Sequence, residues 1–502
     1  MAEMAGQHRL HRVLGPVALS ALGVGSIIGT GIFVLIGQVA HQQTGPALTL
    51  SFVVAGLASL FAALCYAEFA STVPVAGSAY TYGYATLGEL MAWIIGWDLV
   101  LEYAVSSAAV AHGWTKYFQD LLKLMNLEIP RVLSDAPFRY DAGHFVPNGT
   151  WFDLPAIAIT AVITVVLVVG IRESTWFNAL MVAVKLGVVL FVIAVGAFYI
   201  DPDNWTPFAP FGYGGLSLFG HTVAGQSIDG RPVGMLAGAA IIFFAYIGFD
   251  AVSTHAEEAK RPERDVPIGI LVSVVVCTVL YIAMSAVVTG MVPSNQIEVE
   301  APVASAFAHV GLTWARVLVD VGAIAGMTSV LLVTMLSQPR ILLAMARDGL
   351  LPERFFGAVH PHYKTPWKGT VLTGVVVAAF AAFLPLDVLA DLVSIGTLMA
   401  FVIVCAAVLI LRKTNPDAPR PFRVPLAPWI PLLGMGFCLM LMFSLPAANW
   451  WRLAAWLALG MGIYFGYGRW HSKLGRELRS QIALGGVSPA GTASDPTDSP
   501  PR

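Results

Sequence analysis

Apolar runs recur along almost the whole chain between residues 15 and 468, about twelve of them, each close to the roughly 20 residues that cross a bilayer. A run of that length in hydrocarbon has to satisfy every backbone N–H and C=O within itself, so the chain is confined to membrane-spanning helices. The composition agrees, with 57% hydrophobic residues, only 12% charged residues and a mean hydropathy of +0.74 over 502 residues. A soluble globular fold is excluded on this basis. The expected architecture is an all-α, polytopic membrane protein whose partner is the lipid bilayer.

Two of these runs are interrupted by short glycine-marked strings: Gly23-Val24-Gly25-Ser26-Ile27-Ile28-Gly29-Thr30-Gly31, and Phe243-Phe244-Ala245-Tyr246-Ile247-Gly248-Phe249-Asp250. A break in a spanning helix survives only where it is buried in protein or lines a wet cavity. Taken alone, Gly25-xxx-Gly29 also reads as a helix-packing motif. A dinucleotide fingerprint does not fit, because no strand precedes it. The two breaks open successive sets of five spans, residues 15–200 and 233–411. An odd number of spans makes the second set enter from the opposite face, which is the geometry of an inverted repeat and places a transporter's binding site at the breaks. Two further spans, residues 427–468, stand outside the repeat, flanked by a short N-terminus (1–14) and a low-complexity tail (469–502) expected to be disordered.

Orientation follows from the basic residues. Twenty of the 28 Lys and Arg fall on the side of the N-terminus, seven on the other side, and one, Lys185, inside a span. The positive-inside rule then puts both termini in the cytoplasm. Nothing resembles a cleavable signal, so the first run is expected to remain as a true span. A net charge of −2 offers nothing to nucleic acid. Cys65, Cys277, Cys405 and Cys438 all lie within apolar runs and read as small core residues, and no cofactor or metal set is expected. No HExxH, GxSxG or Walker string supports an enzyme.

At the first break, successive amides of Gly29, Thr30 and Gly31 open a half-helix whose N-terminal end suits a carboxylate. Carbonyls left behind near Ile27 suit a cation, and the second break adds carbonyl acceptors at Phe244, Ala245 and Ile247. Together they fit the two poles of a zwitterion. Asp98 and Glu102 share one face of the third span, and Asp250 follows the second break; intramembrane carboxylates default to functional hypotheses. Glu102 and Asp250 are expected to face the cavity and draw a basic side chain, as in lysine, arginine or ornithine, whereas Asp98 reads as structural. Lys185 has two open readings, a fixed cation bracing the first helix or a titrating group that couples proton movement to transport. Met327, on the eighth span, is a candidate for setting pocket size. Glu68 and the run 257–265 read as gate ion pairs or solvated surface, His112 and His309 as isolated structural residues, and Pro74–Tyr84 as a short interfacial helix.

These strings, with Gly96-Trp97-Asp98-Leu99-Val100-Leu101-Glu102-Tyr103, Glu257-Glu258-Ala259-Lys260-Arg261-Pro262 and Ala346-Arg347-Asp348-Gly349-Leu350-Leu351-Pro352, resemble the amino acid, polyamine and organocation superfamily, most closely its cationic amino acid transporter family, up to about residue 470. The resemblance implies two inverted five-helix repeats plus two peripheral helices, working by alternating access. It implies a substrate carboxylate on the Thr30 and Gly31 amides and an α-ammonium on carbonyls of Ile27, Phe244, Ala245 and Ile247. A fifth-span lysine such as Lys185 replaces the sodium ion of related carriers, which implies proton coupling or none. The twelve-span count matches bacterial members, hence an inner-membrane location. The expected activity is proton-coupled import of cationic amino acids, with exchange, or transport of small neutral amino acids or polyamines, as the alternative. A channel lacks a continuous polar lining, and an amino acid-sensing transceptor lacks a sizeable soluble domain.

Overall fold

The computed structural model describes residues 14–72, 80, 83, 84, 88–141, 144–170, 175–218, 221–228, 231–473 and 476. Most of the interfacial segment expected at 74–84, and nearly all of the polar tail, lie outside these residues. Each apolar run is helical: α1 (Pro16–Ile27), α2 (Leu48–Thr72), α3 (Glu89–Leu124), α4 (Leu154–Val169), α5 (Thr175–Gly196), α6 (Met235–Ile242), α7 (Pro262–Met291), α8 (Thr313–Arg347), α9 (Trp367–Phe383), α10 (Leu386–Thr414), α11 (Trp429–Met442) and α12 (Ala447–Ile463). By length and composition, seven helical stretches among the described residues are able to cross a membrane on their own, or eight if the pair around α11 and α12, bent by 112°, forms one span. The others are shorter, at 12 to 17 residues in α1, α4 and α9. The first falls short because it is broken.

Local signals explain the helix starts. Pro16, Pro155 and Pro262 occupy first turns, where a missing N–H costs nothing. Asp153 caps α4 by accepting from Ala156 N–H at 2.9 Å. Outward-facing Val162, Val165, Leu190, Val279 and Val375 are exposed and apolar, as lipid contact requires. In contrast, α3 is buried along nearly its whole length and forms the centre of the bundle.

The packing partners obey an exchange of helices 1–5 with 6–10. Helix α1 packs on α7 and α6 on α2; α3 packs on α10 and α8 on α5; α3 packs on α9 and α8 on α4. The pairs α2 with α7, α3 with α8 and α4 with α9 map onto themselves. Such reciprocity is what two inverted five-helix sets produce. The polar segments between α3 and α4 and between α5 and α6 carry strands that no sequence pattern announced: three antiparallel pairs, β1 (Phe138–Asp141) with β2 (His144–Pro147), β3 (Leu216–Leu218) with β4 (His221–Ala224), and β5 (Gln226–Ile228) with β6 (Arg231–Val233).

Of the two readings for Glu68, ion pair or solvated surface, the structure shows the ion pair, and it is buried. Glu68 is 2% exposed, and accepts from Arg412 Nε at 3.0 Å and from Val424 N–H at 2.7 Å, with Arg420 Nε 3.5 Å away. This clamp fixes the connection between α10 and α11 against α2. Removing one partner of such a pair leaves a buried charge uncompensated, at a cost on the order of 3 kcal/mol. Arg412→Ala is expected to lower the unfolding temperature of the detergent-purified protein by several degrees, whereas Arg423→Ala is expected to leave it unchanged.

Candidate functional site

Both helix breaks are present, and they touch. Helix α1 ends at Ile27; Ile28 turns extended (φ −72°, ψ 102°) while its N–H still bonds to Val24 C=O. The chain resumes as a wide turn, Gly31–Leu35, in which the amides of Ile32 and Phe33 both reach Gly29 C=O at 3.3 Å. The amides that open this turn have no helical carbonyl behind them, so they are free to serve an anion. Helix α6 ends in a tight turn, Phe243–Tyr246, followed by extended Ile247 (ψ 139°) and by Gly248 at φ +114°. Only glycine adopts that last conformation without strain. A Cβ on Gly31 would lie 2.4 Å from Ala245 Cα, and one on Gly248 would lie 2.8 Å from Ser26 O. The two backbones therefore pack directly on each other.

A small cavity opens at this crossing. Ser26, Ile27, Gly29, Thr30 and Gly31 line it from the first break, and Phe244, Ile247 and Gly248 from the second. Tyr103, Ser106 and Val110 close it from α3, Val330 and Thr334 from α8. Its volume of about 20 Å³ accommodates a water or two. Anything larger than water enters only when the helices part. None of these residues is charged. The hydroxyl hydrogens point away from the cavity: Ser26 donates to Leu22 C=O at 2.7 Å, Thr334 to Val330 C=O at 3.0 Å, and Tyr103 to Asp250 Oδ2 at 2.5 Å. Their oxygen lone pairs remain for the cavity, which makes its side-chain polarity acceptor-only.

The expected site residues separate accordingly. Ile27, Gly29, Thr30, Gly31, Phe244 and Ile247 line the cavity. Ala245 does not, being pressed against Gly31. Met327 also stands one layer back, receiving the Thr30 hydroxyl on its sulfur at 3.4 Å, and Val330 and Thr334 occupy the cavity wall on that helix. Glu102 and Asp250, expected to face the cavity, do not line it. The Tyr103 ring fills the intervening space with its hydroxyl on Asp250, and Glu102, 3% exposed, faces Thr397 of α10. Asp98 is 1% exposed beside Gly396, and neither of its oxygens has a hydrogen-bond partner among the described residues.

Carbonyls at the end of α1 are occupied by donors from elsewhere in the protein. Lys185, fully buried, donates to Gly25 C=O at 2.5 Å and approaches Ile28 C=O at 3.4 Å. Tyr281 of α7 donates to Ile27 C=O at 3.0 Å, and Tyr117 of α3 donates to Phe33 C=O at 2.6 Å. The two tyrosines were not singled out from sequence. The only signal was a phenol in the middle of an apolar run, where its hydroxyl needs a partner.

A vestibule of about 710 Å³ lies at the opposite end of the bundle from the segments rich in Lys and Arg. Val34 and Gln38, from the helix after the first break, line its floor; His112 and Lys116 of α3, Arg231 of β6 and Asp387 of α10 line its walls.

Residues 14–464 match the family model described as amino acid permease. The chain is 46% identical over 467 residues to the methylthioribose transporter of Bacillus subtilis, covering 93% of this chain and 95% of that one. It is 48% identical over 475 residues to the branched-chain amino acid permease BcaP of the same organism, covering 94% and 97%. It is 40% identical over 415 residues to the vacuolar cationic amino acid transporter 4 of Arabidopsis thaliana, covering 82% of this chain and 65% of that one.

Proposed function

This chain belongs to the amino acid permease family, and we propose that within it the chain is a secondary transporter of neutral, aliphatic α-amino acids, working by alternating access. Its relatives are permeases and transporters rather than enzymes. One observation carries the substrate reading: the cavity at the crossed breaks has amides for a carboxylate but no charged side chain. A basic side chain brought there would surrender its hydration without gaining a partner, at a cost of several kcal/mol. Acidic side chains fare no better, since the hydroxyls offer acceptors only. Ile27, Val110, Ile247 and Val330 suit a branched aliphatic group, in keeping with the branched-chain amino acids that one close relative is named for.

Glu102 and Asp250 sustain the alternative, a cationic substrate. Asp250 lies one tyrosine away from the cavity, and a swing of Tyr103 would bring its carboxylate into reach. The division into 15–200, 233–411 and 427–468, the cytoplasmic termini, the inner membrane and the coupling to protons all belong to this reading as well. Initial-rate uptake of labelled leucine, valine, alanine, arginine and lysine into proteoliposomes, with and without an inward proton gradient, tests it. Leucine or valine uptake that the gradient accelerates, and that excess arginine competes with at least tenfold more weakly than excess isoleucine, is the expected result. Arginine uptake untouched by isoleucine would overturn the neutral reading, and uptake indifferent to the gradient would remove the coupling.

A further inference from the structure

Tyr103 of α3 belongs to two places at once. Its ring lines the cavity at the crossed breaks, and its hydroxyl donates to Asp250 Oδ2 at 2.5 Å. Tyr103 is 2% exposed, Asp250 3%, and Glu102, the preceding residue, 3%. Glu102 and Asp250 lie close enough for their charges to act on each other. Asp250 is held in place independently of the phenol: its carbonyl accepts from Ser253 N–H at 2.8 Å and from Ser253 Oγ at 2.5 Å. Phe249, next in the chain, is packed between Tyr66 of α2 and Phe401 of α10 at ring-centroid separations of 5.7 and 5.1 Å. The carboxyl group of Asp250 therefore stays where it is when the side chain at position 103 changes.

Two carboxyl groups at this depth are costly to bury, and a neutral substrate makes no use of them. The phenol separates them from whatever the cavity holds. Its hydroxyl supplies a donor to Asp250, and its ring occupies the volume through which a long side chain would reach that carboxylate. Lysine and arginine side chains extend beyond leucine's and end in a charge. With the ring in place, that charge is stopped short of its countercharge and has lost its water. Without the ring, the vacated volume runs from the cavity to Asp250, and the guanidinium fork matches a carboxylate bidentately. The charge of Glu102 adds to the attraction.

We propose that Tyr103 is the specificity-determining residue of this site: its phenol screens Asp250 and Glu102 from the substrate and so selects neutral over cationic side chains. The proposal rests on the neutral reading of the cavity and deepens it, because the two acids become a cation subsite that one side chain keeps closed. Selection of this kind works by denying the wrong substrate its partner rather than by adding a contact to the right one. A tyrosine that only packed would behave differently, since truncating it would lower the transport of every substrate in proportion.

The ratio of arginine to leucine kcat/KM, measured with the full-length protein in proteoliposomes, tests the screen. Tyr103→Ser is expected to raise that ratio by about tenfold or more, with arginine gaining more than lysine. Adding Asp250→Asn to the same chain is expected to return it to within about threefold of wild type, because the two positions act through one contact. Should serine unfold the protein, Tyr103→Leu, which keeps the position apolar while clearing the path, carries the test with a rise of the same sign. Where transport by a variant is too slow to rate, the heat stabilisation of the detergent-purified protein by arginine relative to leucine supplies the ratio. The wild-type ratio judges the neutral reading, and its change on substitution judges the screen. A wild type that favours arginine, with the ratio still rising about tenfold in Tyr103→Ser, would reject the neutral reading and uphold the screen. An unchanged ratio in both Tyr103 variants, or a gain of arginine that survives Asp250→Asn, would overturn the proposal.

Discussion

Alanine at position 31 is expected to abolish uptake. Its Cβ would sit 2.4 Å from both Ala245 Cα and Ala245 Cβ and 3.0 Å from Ala245 N, far inside van der Waals contact, and the obstacle is backbone rather than a side chain that rotates away. The crossing then opens or one break straightens, and in either case the Thr30 and Gly31 amides leave the place proposed for the substrate carboxylate. Overpacking in a close-fitting core costs about 1 to 3 kcal/mol, so the protein is expected to remain folded with a lowered unfolding temperature. Transport suffers more, since a 1 Å displacement of a positioning group is enough to cost on the order of a hundredfold in a tuned site. Gly187→Ala is the matched control: nothing lies within 4 Å of its Cβ position, and alanine there favours the helix. Initial rates of leucine uptake falling at least fiftyfold in Gly31→Ala and within twofold of wild type in Gly187→Ala are the expected pair of results. Wild-type rates in Gly31→Ala would mean that the close approach of the two breaks has no part in transport.

The contrast between these glycines shows which parts of the molecule were legible in the sequence. Spans, breaks and the reciprocity of the two halves are written in local patterns: about 20 apolar residues in a row, glycines interrupting two of them, and an odd number of spans, five, in the set that each of those two opens. The direction a side chain takes within a span is written nowhere locally. Glu102 and Tyr103 are neighbours in sequence, yet about 100° of helical rotation sends the phenol to the cavity and the carboxyl toward α10. On α8, Met327 shares a face with Val330 and Thr334 but stands about one turn before them along the axis, which puts it behind Thr30 while they reach the cavity. Partners far apart in the chain were equally hidden. Tyr281 meets a carbonyl 254 positions away, and Glu68 meets Arg412 across 344. His112 looked isolated because its two carboxylates, at 135 and 153, reach it only when the connection between α3 and α4 folds back on those helices.

Lys185 is where the second large effect is expected. Its ammonium serves Gly25 C=O and Ile28 C=O, the carbonyls that flank the broken end of α1, and its side chain reaches them between α1 and Gly326 of α8. A bound sodium ion would supply the same positive charge to the same kind of carbonyl crown, but an ammonium on a side chain cannot leave with the substrate. It can only keep its proton or give it up. Replacement by methionine fills much of the space and supplies neither charge nor donor, leaving two buried acceptors unpaired at about 1 to 3 kcal/mol each. Concentrative uptake is therefore expected to vanish in Lys185→Met. The informative measurement is exchange: preloaded vesicles in which labelled substrate swaps across the membrane with no net proton movement. If the lysine cycles its proton during transport, Lys185→Met retains exchange within about tenfold while losing all response to the proton gradient. If the ammonium is a fixed brace for the broken helix, exchange is lost together with accumulation, because the amides proposed to receive the carboxylate depend on the position of that helix. Gradient-driven accumulation surviving in Lys185→Met would exclude both roles and shift the coupling to the buried carboxyls of Asp98, Glu102 and Asp250.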